Sequence, residues 1–306
     1  MSESRIVVCG EALVDLVPTG ETTFAAHLGG GPFNVAIALG RLGSRVALYS
    51  RLSTDPFGER LLAALVAAGV DVSITQRGPE PTTLAVAAVD PDGGAGYTFH
   101  ADGTADRLVA DPGPLPASAA AVSFGTLSLV FEPGASVYTD LLRRSHGEGR
   151  LTIVDPNIRP DVFPADYRRR FTELLPSIDI VKVSDDDVQW LGRGVDGTTP
   201  AQWLDRGVAA VVTTHGADGL SVRTRRFRVE VPGFRVPVAD TIGAGDTVHG
   251  ALLHWLDEHR ALDSDSVEGL GGGQWQDALE FAARAAAVTV SRPAADPPWA
   301  SELTGG

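Results

Sequence analysis

The sequence predicts an α/β protein with a mainly parallel sheet sandwiched by helices and a small antiparallel β lid. Apolar runs of strand length recur along the chain and alternate with stretches of helical periodicity. The runs are apolar throughout, as in parallel strands that are covered on both faces. Two segments rich in Thr, Val and Gly break this alternation, which places a separate β layer beside the main sheet.

The predicted strands of the main sheet are short and almost free of charge. They are Ile6 to Cys9, Val46 to Tyr49, Ala120 to Phe124, Leu151 to Val154, Ile178 to Lys182 and Ala209 to Thr213. Four helices follow from apolar residues spaced three and four apart, and they begin after Pro32, Pro56, Gly245 and Gln274. Proline directly inside two of these starts is typical of helix N-termini.

The two exceptional segments cover about residues 10 to 28 and 82 to 103. A turn at Asp90 to Gly94 separates two alternating runs of the second segment, which indicates antiparallel strands. Such a layer could serve as a lid, a dimer surface or both. Without a long linker or repeat, residues 1–306 are interpreted as a single domain that carries this lid.

Charge and composition exclude several classes of protein. The 306 residues include 25 Lys and Arg against 39 Asp and Glu, a net charge of −14, and Lys182 is the one lysine. A Walker-type nucleotide loop needs a lysine after its glycines, which Lys182 does not provide. An acidic chain is also a poor ligand for nucleic acid or an anionic membrane. The lone Cys9, the lack of a signal-like start and the lack of an apolar run of membrane length predict a cytoplasmic protein.

The most informative segment is Asp240-Thr241-Ile242-Gly243-Ala244-Gly245-Asp246-Thr247, which directly precedes a helix. Glycines let backbone N–H groups approach an anion closely, and the helix start adds a positive dipole. Asp246 is unsuited to binding a phosphate because like charges repel, but it could take a proton from an attacking alcohol. By itself, the pattern equally describes a tight turn with a favourable first-turn acid.

A second glycine-rich segment, Gly29-Gly30-Gly31-Pro32-Phe33-Asn34, also leads into a helix. The amide of Asn34 offers donors and an acceptor to a polyol, although a surface Asn after a flexible loop fits as well. Asp15 is a charge within an apolar strand, and it either faces solvent or turns inward to bind hydroxyl groups.

Together, the two glycine motifs resemble the signatures of the ribokinase-like (PfkB) carbohydrate kinases over essentially the whole chain. The opening Gly10-Glu11-Ala12-Leu13-Val14-Asp15, Ala105-Asp106-Arg107 and Asp155-Pro156-Asn157-Ile158-Arg159-Pro160 most resemble the fructokinase branch. The resemblance implies a kinase that uses ATP and Mg²⁺, with a monovalent cation such as K⁺ as a further expectation. It implies a small-molecule sugar and ATP as binding partners, and a homodimer through the β lid as one arrangement.

Roles carried over by this resemblance fall on three groups of residues. Asp246 matches the catalytic base, and Gly243, Ala244 and Gly245 match the anion hole. Asp15, Gly30 and Asn34 match sugar contacts, with Arg159 as the best-placed positive side chain or, equally, a surface arginine. Nucleotide contacts are expected at Lys182, Ser184, Thr214, Gly216, Gly219 and Ser291.

The sequence departs from the family at two places. Where the family has Lys-x-Asn-x-x-Glu, this chain has Lys182-Val183-Ser184-Asp185-Asp186-Asp187, so the carboxylate that tunes Mg²⁺ indirectly is the shorter Asp187. His100 stands where fructokinases often carry Tyr or Arg, which leaves the sugar open. The expected reaction is transfer of the γ-phosphoryl group of ATP to a primary hydroxyl of a small sugar, foremost fructose.

Several alternatives stay open at this point. 2-Keto-3-deoxygluconate, which needs a positive group such as Arg107 or Arg159, ribose or a nucleoside could replace fructose. A non-catalytic sugar or nucleotide sensor on the same fold is a further alternative, although it would not need Asp246. A dinucleotide-dependent oxidoreductase is disfavoured because no Gly-x-Gly-x-x-Gly follows the first strand.

Overall fold

The structure, a computed structural model, describes residues 5–89, 95–164, 166–194 and 197–303. Its strands in chain order are β1 Ile6–Cys9, β2 Leu13–Pro18, β3 Phe24–Gly29, β4 Val46–Tyr49, β5 Arg51–Ser53, β6 Gln76–Gly78, β7 Leu84–Val89, β8 Ala95–His100, β9 Ala121–Gly125, β10 Leu151–Asp155, β11 Ile180–Ser184, β12 Ala210–Thr214, β13 Leu220–Arg223 and β14 Arg228–Val231. All six predicted core strands are present. The strand predicted at Ile178 begins two residues later, since Ile178 packs in the core before the hydrogen-bonded ladder starts.

The main sheet has eight strands in the order β14-β13-β12-β11-β10-β9-β1-β4. The six strands from β12 to β4 are parallel, while β13 and β14 add an antiparallel edge. Because the carboxyl ends of parallel strands meet at one edge, this topology gathers the loops after β1, β9, β10, β11 and β12.

The helices are α1 Gly31–Arg41, α2 Pro56–Ala67, α3 Gly134–Gly147, α4 Tyr167–Leu174, α5 Asp185–Leu191, α6 Pro200–Asp205, α7 Ala244–Glu258, α8 Ser264–Gly269, α9 Gly272–Val290 and α10 Ala300–Leu303. The four helices predicted from periodicity correspond to α1, α2, α7 and α9. None of the helices that the structure describes is both long and apolar enough to cross a membrane.

Successive side chains of the central strands pack alternately into two separate hydrophobic layers. Ile6 and Val8 of β1 pack into the layer that contains α1, α2, α7 and α9. Val7 and Cys9 of the same strand pack into the layer on the other face, with α3, α4 and α6. Successive residues of a strand point to opposite faces, so the predicted sandwich of helices around a parallel sheet is confirmed.

A smaller sheet of four strands, in the order β3-β2-β7-β8, stands beside the main sheet where the predicted β layer was placed. The outer pairs β2–β3 and β7–β8 are antiparallel, whereas the central pair β2–β7 is parallel. The sequence did not indicate this parallel pair, because 65 residues separate the end of β2 at Pro18 from the start of β7 at Leu84. The predicted turn at residues 90–94 lies outside the described residues.

Candidate active site

A cleft of about 240 Å³ lies between the small sheet and the carboxyl ends of the main-sheet strands. Its wall contains eight of the predicted residues, from both glycine segments and from the strand ends. These are Asp15, Gly30, Asn34, Arg159, Lys182, Gly243, Gly245 and Asp246. The remaining lining residues are Glu11, Leu13, Gly31, Tyr97, Phe99, Thr126, Leu127, Asn157, Thr241 and Ile242.

Helix α7 begins at the cleft without a side-chain cap. Its N-cap residue is Gly243, whose φ of 77° lies in the left-handed region that glycine adopts without strain. The first N–H groups of a helix have no partner within the helix, and here no cap side chain occupies them. The start of α7 therefore offers backbone donors and a positive dipole to an anion in the cleft.

Asp246 stands in the first turn of α7 and is almost completely buried. The side-chain amide of Asn34 donates a hydrogen bond of 2.8 Å from Nδ2 to Asp246 Oδ2. Burial raises the pKa of Asp246 to about 6, while this hydrogen bond and the charge of Lys182 act in the opposite direction. A carboxylate with a pKa of about 6 is ionised at neutral pH and is a stronger base than an ordinary aspartate.

The contact between Asn34 and Asp246 depends on a close approach of α1 and α7. A Cβ atom at Gly250 would stand 2.8 Å from Ala38 Cβ and 3.2 Å from Val35 O. Glycine at this position lets the two helices pack closely, and it brings the polar residues of their first turns together. The two glycine motifs are therefore joined in space by the helices that follow them.

Lys182, the one lysine of the chain, is buried beside this helix start. Its Nζ lies 2.7 Å from Asp155 Oδ2, and a Cβ atom at Gly245 would stand 2.9 Å from the same Nζ. Burial disfavours the ammonium, but the carboxylate of Asp155 more than offsets it, so the pKa of Lys182 is raised. The cleft thus has a fixed positive charge directly against the backbone of Gly245.

A buried polar chain continues behind Lys182. Asp155 Oδ2 is 3.9 Å from Nδ1 of His249, and Nε2 of His249 is 3.0 Å from Ser123 Oγ. Burial lowers the pKa of His249, so its imidazole is neutral at neutral pH. Because the side chains of Lys182 and Asp155 are both almost fully buried, removing one partner would leave an uncompensated buried charge.

The other end of the cleft is formed by the small sheet and the loop after β10. Asp15 of β2 points inward, and a side chain at Gly29 would collide with its carboxylate. Burial raises the pKa of Asp15 to about 6, against the nearby positive charge of Arg159. Arg159 is held by a 2.6 Å hydrogen bond from Nη1 to Asn157 Oδ1. Arg159 is half-buried and lines the cleft, and its role in binding stays a prediction.

Apart from Lys182, the predicted nucleotide residues do not line this cleft. Ser184 and Thr214 are direct partners at the carboxyl ends of β11 and β12. Gly216 and Gly219 follow in the short turn after β12. Ser291 is the C-cap residue of α9. The chain just after it is linked to the segment before α7, because Ala294 N donates a 3.0 Å hydrogen bond to Asp240 Oδ2.

Asp187 also lies outside the cleft wall, and its carboxylate is fully engaged. Its Oδ1 accepts a hydrogen bond from Ile158 N at 2.7 Å, and its Oδ2 accepts from the N and Oγ of Ser184 at 2.8 Å and 2.7 Å. These contacts cap α5 and fasten the loop after β10. The predicted indirect role in Mg²⁺ handling stays a prediction.

Sequence reasoning gave no role to several residues that shape the site. Glu11 lines the cleft, and its carboxylate accepts hydrogen bonds from the N and Oγ of Ser128. Burial raises the pKa of Glu11 to about 7. Thr126 and Asp155 directly follow or end central strands, and their position at the carboxyl edge was the available signal. His100, by contrast, is exposed and does not reach the cleft.

An α/β fold with an uncapped helix start, a buried carboxylate and a lysine around one polar cleft defines a class of small-molecule enzyme. Comparisons with known proteins specify that class. A family model for the pfkB family of carbohydrate kinases matches residues 3–302. The chain is 39% identical over 274 residues to a fructokinase of Rhizobium leguminosarum bv. trifolii, which covers 87% of this chain and 83% of that protein.

Solved structures agree with this result. A fructokinase of Xylella fastidiosa with bound ATP superimposes with a TM-score of 0.90 at 28% identity, covering 99% of this chain and 98% of that one. A fructokinase of Vibrio cholerae O395 with fructose, ADP and a calcium ion gives a TM-score of 0.80 at 28% identity, covering 96% and 95%. The chain belongs to the pfkB family of carbohydrate kinases, and the predicted family and ribokinase-like fold are confirmed. It is a phosphotransferase with an alcohol group as acceptor.

Proposed function

We propose that this enzyme transfers the γ-phosphoryl group of ATP to a primary hydroxyl of fructose. The observation that carries the proposal is the start of α7, where a buried carboxylate and an uncapped set of backbone donors face one cleft. The fructokinase with 39% identity and the fructose-bound fold relative support this choice of sugar.

In the proposed reaction, Asp246 accepts the proton of the sugar hydroxyl, and the resulting oxygen attacks the γ-phosphorus. The bond from the γ-phosphorus to the β–γ bridging oxygen breaks, and ADP leaves with the bond electrons. The amides at Gly243 to Gly245 and the ammonium of Lys182 stand where negative charge builds up on the phosphoryl oxygens. Asp246 carries the proton at the end of this step.

The sugar would occupy the end of the cleft between Asp15 and Arg159. Asp15, Asn34 and the Gly30 backbone supply acceptors and donors to hydroxyl groups, while Tyr97 and Phe99 of β8 cover the apolar face of the ring. The aromatic rings of Tyr97 and Phe99 are stacked on each other with centroids 6.2 Å apart. In this proposal the small sheet acts as a lid on a single-domain kinase, with Gly29 and Gly30 at its hinge, and it could also pair two subunits.

ATP would lie along the carboxyl edge of β11 and β12, with Ser184, Thr214, Gly216, Gly219 and Ser291 around it. Mg²⁺ is proposed to enter as part of the MgATP substrate, with Asp187 acting at most through another group. The same proposal has K⁺ bind near the end of α9, where Ala294 N donates a hydrogen bond to Asp240 Oδ2.

2-Keto-3-deoxygluconate is a second candidate because the cleft wall contains Arg159. Its guanidinium could meet the carboxylate of a keto-acid. Arg107, the other arginine considered for that role, instead pairs with Asp102 and lies over the ring of Phe131 at 5.0 Å. The choice between the two sugars therefore depends on Arg159.

A coupled ADP-release assay with fructose, ribose, 2-keto-3-deoxygluconate and adenosine tests the proposal. We expect fructose to give the highest kcat/KM, and ³¹P NMR of the product should show a primary phosphate ester. A higher kcat/KM for the keto-acid, lost in Arg159→Met, would select the second candidate. ATP turnover that none of the four compounds stimulates would contradict the kinase proposal and favour a sensor.

A further inference from the structure

Thr126, which follows β9 directly, has an unfavourable backbone conformation. Its φ of 57° lies in the left-handed region, which a β-branched residue rarely occupies. Three other non-glycine residues of the described chain have positive φ: Asn157, Arg260 and Ala294. Asparagine tolerates this conformation, so Thr126 is the more unusual of the two such residues in the cleft wall. Strain of this kind is found where a functional arrangement requires it.

The surrounding structure holds the chain at Thr126 in this conformation. A Cβ atom at the preceding Gly125 would stand 2.6 Å from Asp155 O, so β9 and β10 approach closely there. Thr126 then begins a single helical turn to Leu129, and Ser128 within this turn is fastened to Glu11. The conformation is fixed from both sides, although glycine would relieve its strain.

The hydroxyl of Thr126 lies near the catalytic carboxylate. A Cβ atom at Gly31 would stand 2.6 Å from Thr126 Oγ1 and 3.5 Å from Asp246 Oδ1. Because Gly31 has no side chain, the cleft has open space next to both Thr126 Oγ1 and Asp246 Oδ1. Thr126 lines the cleft, and its Oγ1 forms no hydrogen bond with any of the described residues.

We propose that Thr126 is a specificity-determining residue whose hydroxyl binds the sugar hydroxyl next to the one that Asp246 deprotonates. The inference rests on the proposed kinase function and deepens it. A threonine hydroxyl is both donor and acceptor, which suits a polyol. A site built around such a hydrogen bond rejects an analogue that lacks the matching hydroxyl. The backbone strain is then the consequence of placing this hydroxyl beside Asp246.

Three variants of Thr126 test the proposal by kcat/KM for fructose and by melting temperature. Thr126→Val keeps the shape and loses the hydroxyl, and we expect kcat/KM to fall roughly tenfold or more, with KM for ATP unchanged. Thr126→Ser keeps the hydroxyl and should retain most of the activity. Thr126→Gly relieves the strain, so its Tm should rise while kcat/KM falls as in the valine variant.

Arg260→Gly is the matched control, because Arg260 has a φ of 56° just beyond the far end of α7. It should raise the Tm without a change in kcat/KM. A rise in Tm with full activity in Thr126→Gly would overturn the proposal, as would unchanged kinetics in Thr126→Val. Equal losses in the serine and valine variants would also overturn it, because the hydroxyl would then not be the cause.

The wild-type enzyme separates this inference from the proposed function. If it phosphorylates another sugar in place of fructose, the same variant ratios are measured with that sugar. If it phosphorylates none, the proposed function fails, and calorimetric titration of fructose into the wild type and Thr126→Val decides the inference. Weaker binding in the valine variant supports a contact through Thr126, and equal affinity refutes it.

Discussion

The starts of α5 and α7 carry an aspartate at the same helical position, and the two aspartates have different surroundings. Asp187 and Asp246 are both the third residue of their helix, and burial raises the pKa of both. At α5 the N-cap is Ser184, which forms a reciprocal capping box with Asp187. At α7 the N-cap is Gly243, which has no side chain to offer.

This difference shows how one residue decides whether a helix start is closed or available. The Ser184 cap uses the amide donors and the carboxylate of α5 within the protein, which stabilises the fold. The glycine at α7 leaves the first amides and one carboxylate oxygen of Asp246 facing the cleft. The serine cap adds to stability, and the glycine cap leaves these groups available to a ligand.

The largest expected effect comes from removing the free carboxylate. Asp246→Asn should lower kcat by roughly 10²- to 10⁴-fold, because a positioned base contributes about that much. ATP affinity should stay close to that of the wild type, as measured by calorimetric titration. An asparagine variant with near-normal turnover would show that Asp246 is not the base.

The next prediction concerns the backbone amides at the start of α7 and the neighbouring Lys182. Gly245→Ala adds a methyl group 2.9 Å from Lys182 Nζ, the far end of a flexible side chain. The ammonium would be displaced, and kcat/KM for ATP should fall by on the order of ten- to a hundredfold, as for a lost hydrogen bond to a charged group. Displacing the ammonium also weakens its buried ion pair with Asp155, so the Tm should fall despite the higher helix propensity of alanine.

Gly271→Ala supplies a matched control, since Gly271 stands at the start of α9 and outside the cleft. Its kcat/KM should equal that of the wild type. Unchanged kinetics in Gly245→Ala would show that Lys182 does not contribute to phosphate binding.

The third prediction uses the hydrogen bond between Asn34 and Asp246. The base must be deprotonated, so kcat should fall as the pH drops through about 6, the raised pKa of Asp246. Asn34→Leu removes the donor that favours the charged carboxylate, so this acid limb should move upward by roughly one pH unit. A residue that only contacts sugar would change KM and leave the limb of kcat in place.

The sequence alone was sufficient for the six parallel strands of the central sheet, because these strands are almost entirely apolar. It was not sufficient for the antiparallel edge strands β13 and β14 or for helices α3 to α6, α8 and α10, where short length or a polar face weakens the periodicity. Gly243 to Asp246 were identifiable because glycine next to a helix start has a direct chemical meaning. The contacts of Asp246 with Asn34 and of Lys182 with Asp155 join distant parts of the chain, and only packing reveals them. Thr126 was not identifiable because nothing in Gly125-Thr126-Leu127 shows a positive φ.

The smallest predicted effect lies at the closed helix start. In Asp187→Asn an amide replaces one of the two oxygens that accept from Ile158 N and Ser184, so the free energy of unfolding should fall by about 1–2 kcal/mol. Asp186→Asn, at an exposed position of the same turn, should leave stability unchanged. If Asp187 serves mainly as a cap, the Mg²⁺ dependence of the rate will match the wild type once the folded fraction is equal. A higher Mg²⁺ requirement in Asp187→Asn alone would instead support its indirect metal role, and it would show that a capped helix start can still act on a ligand through its neighbours.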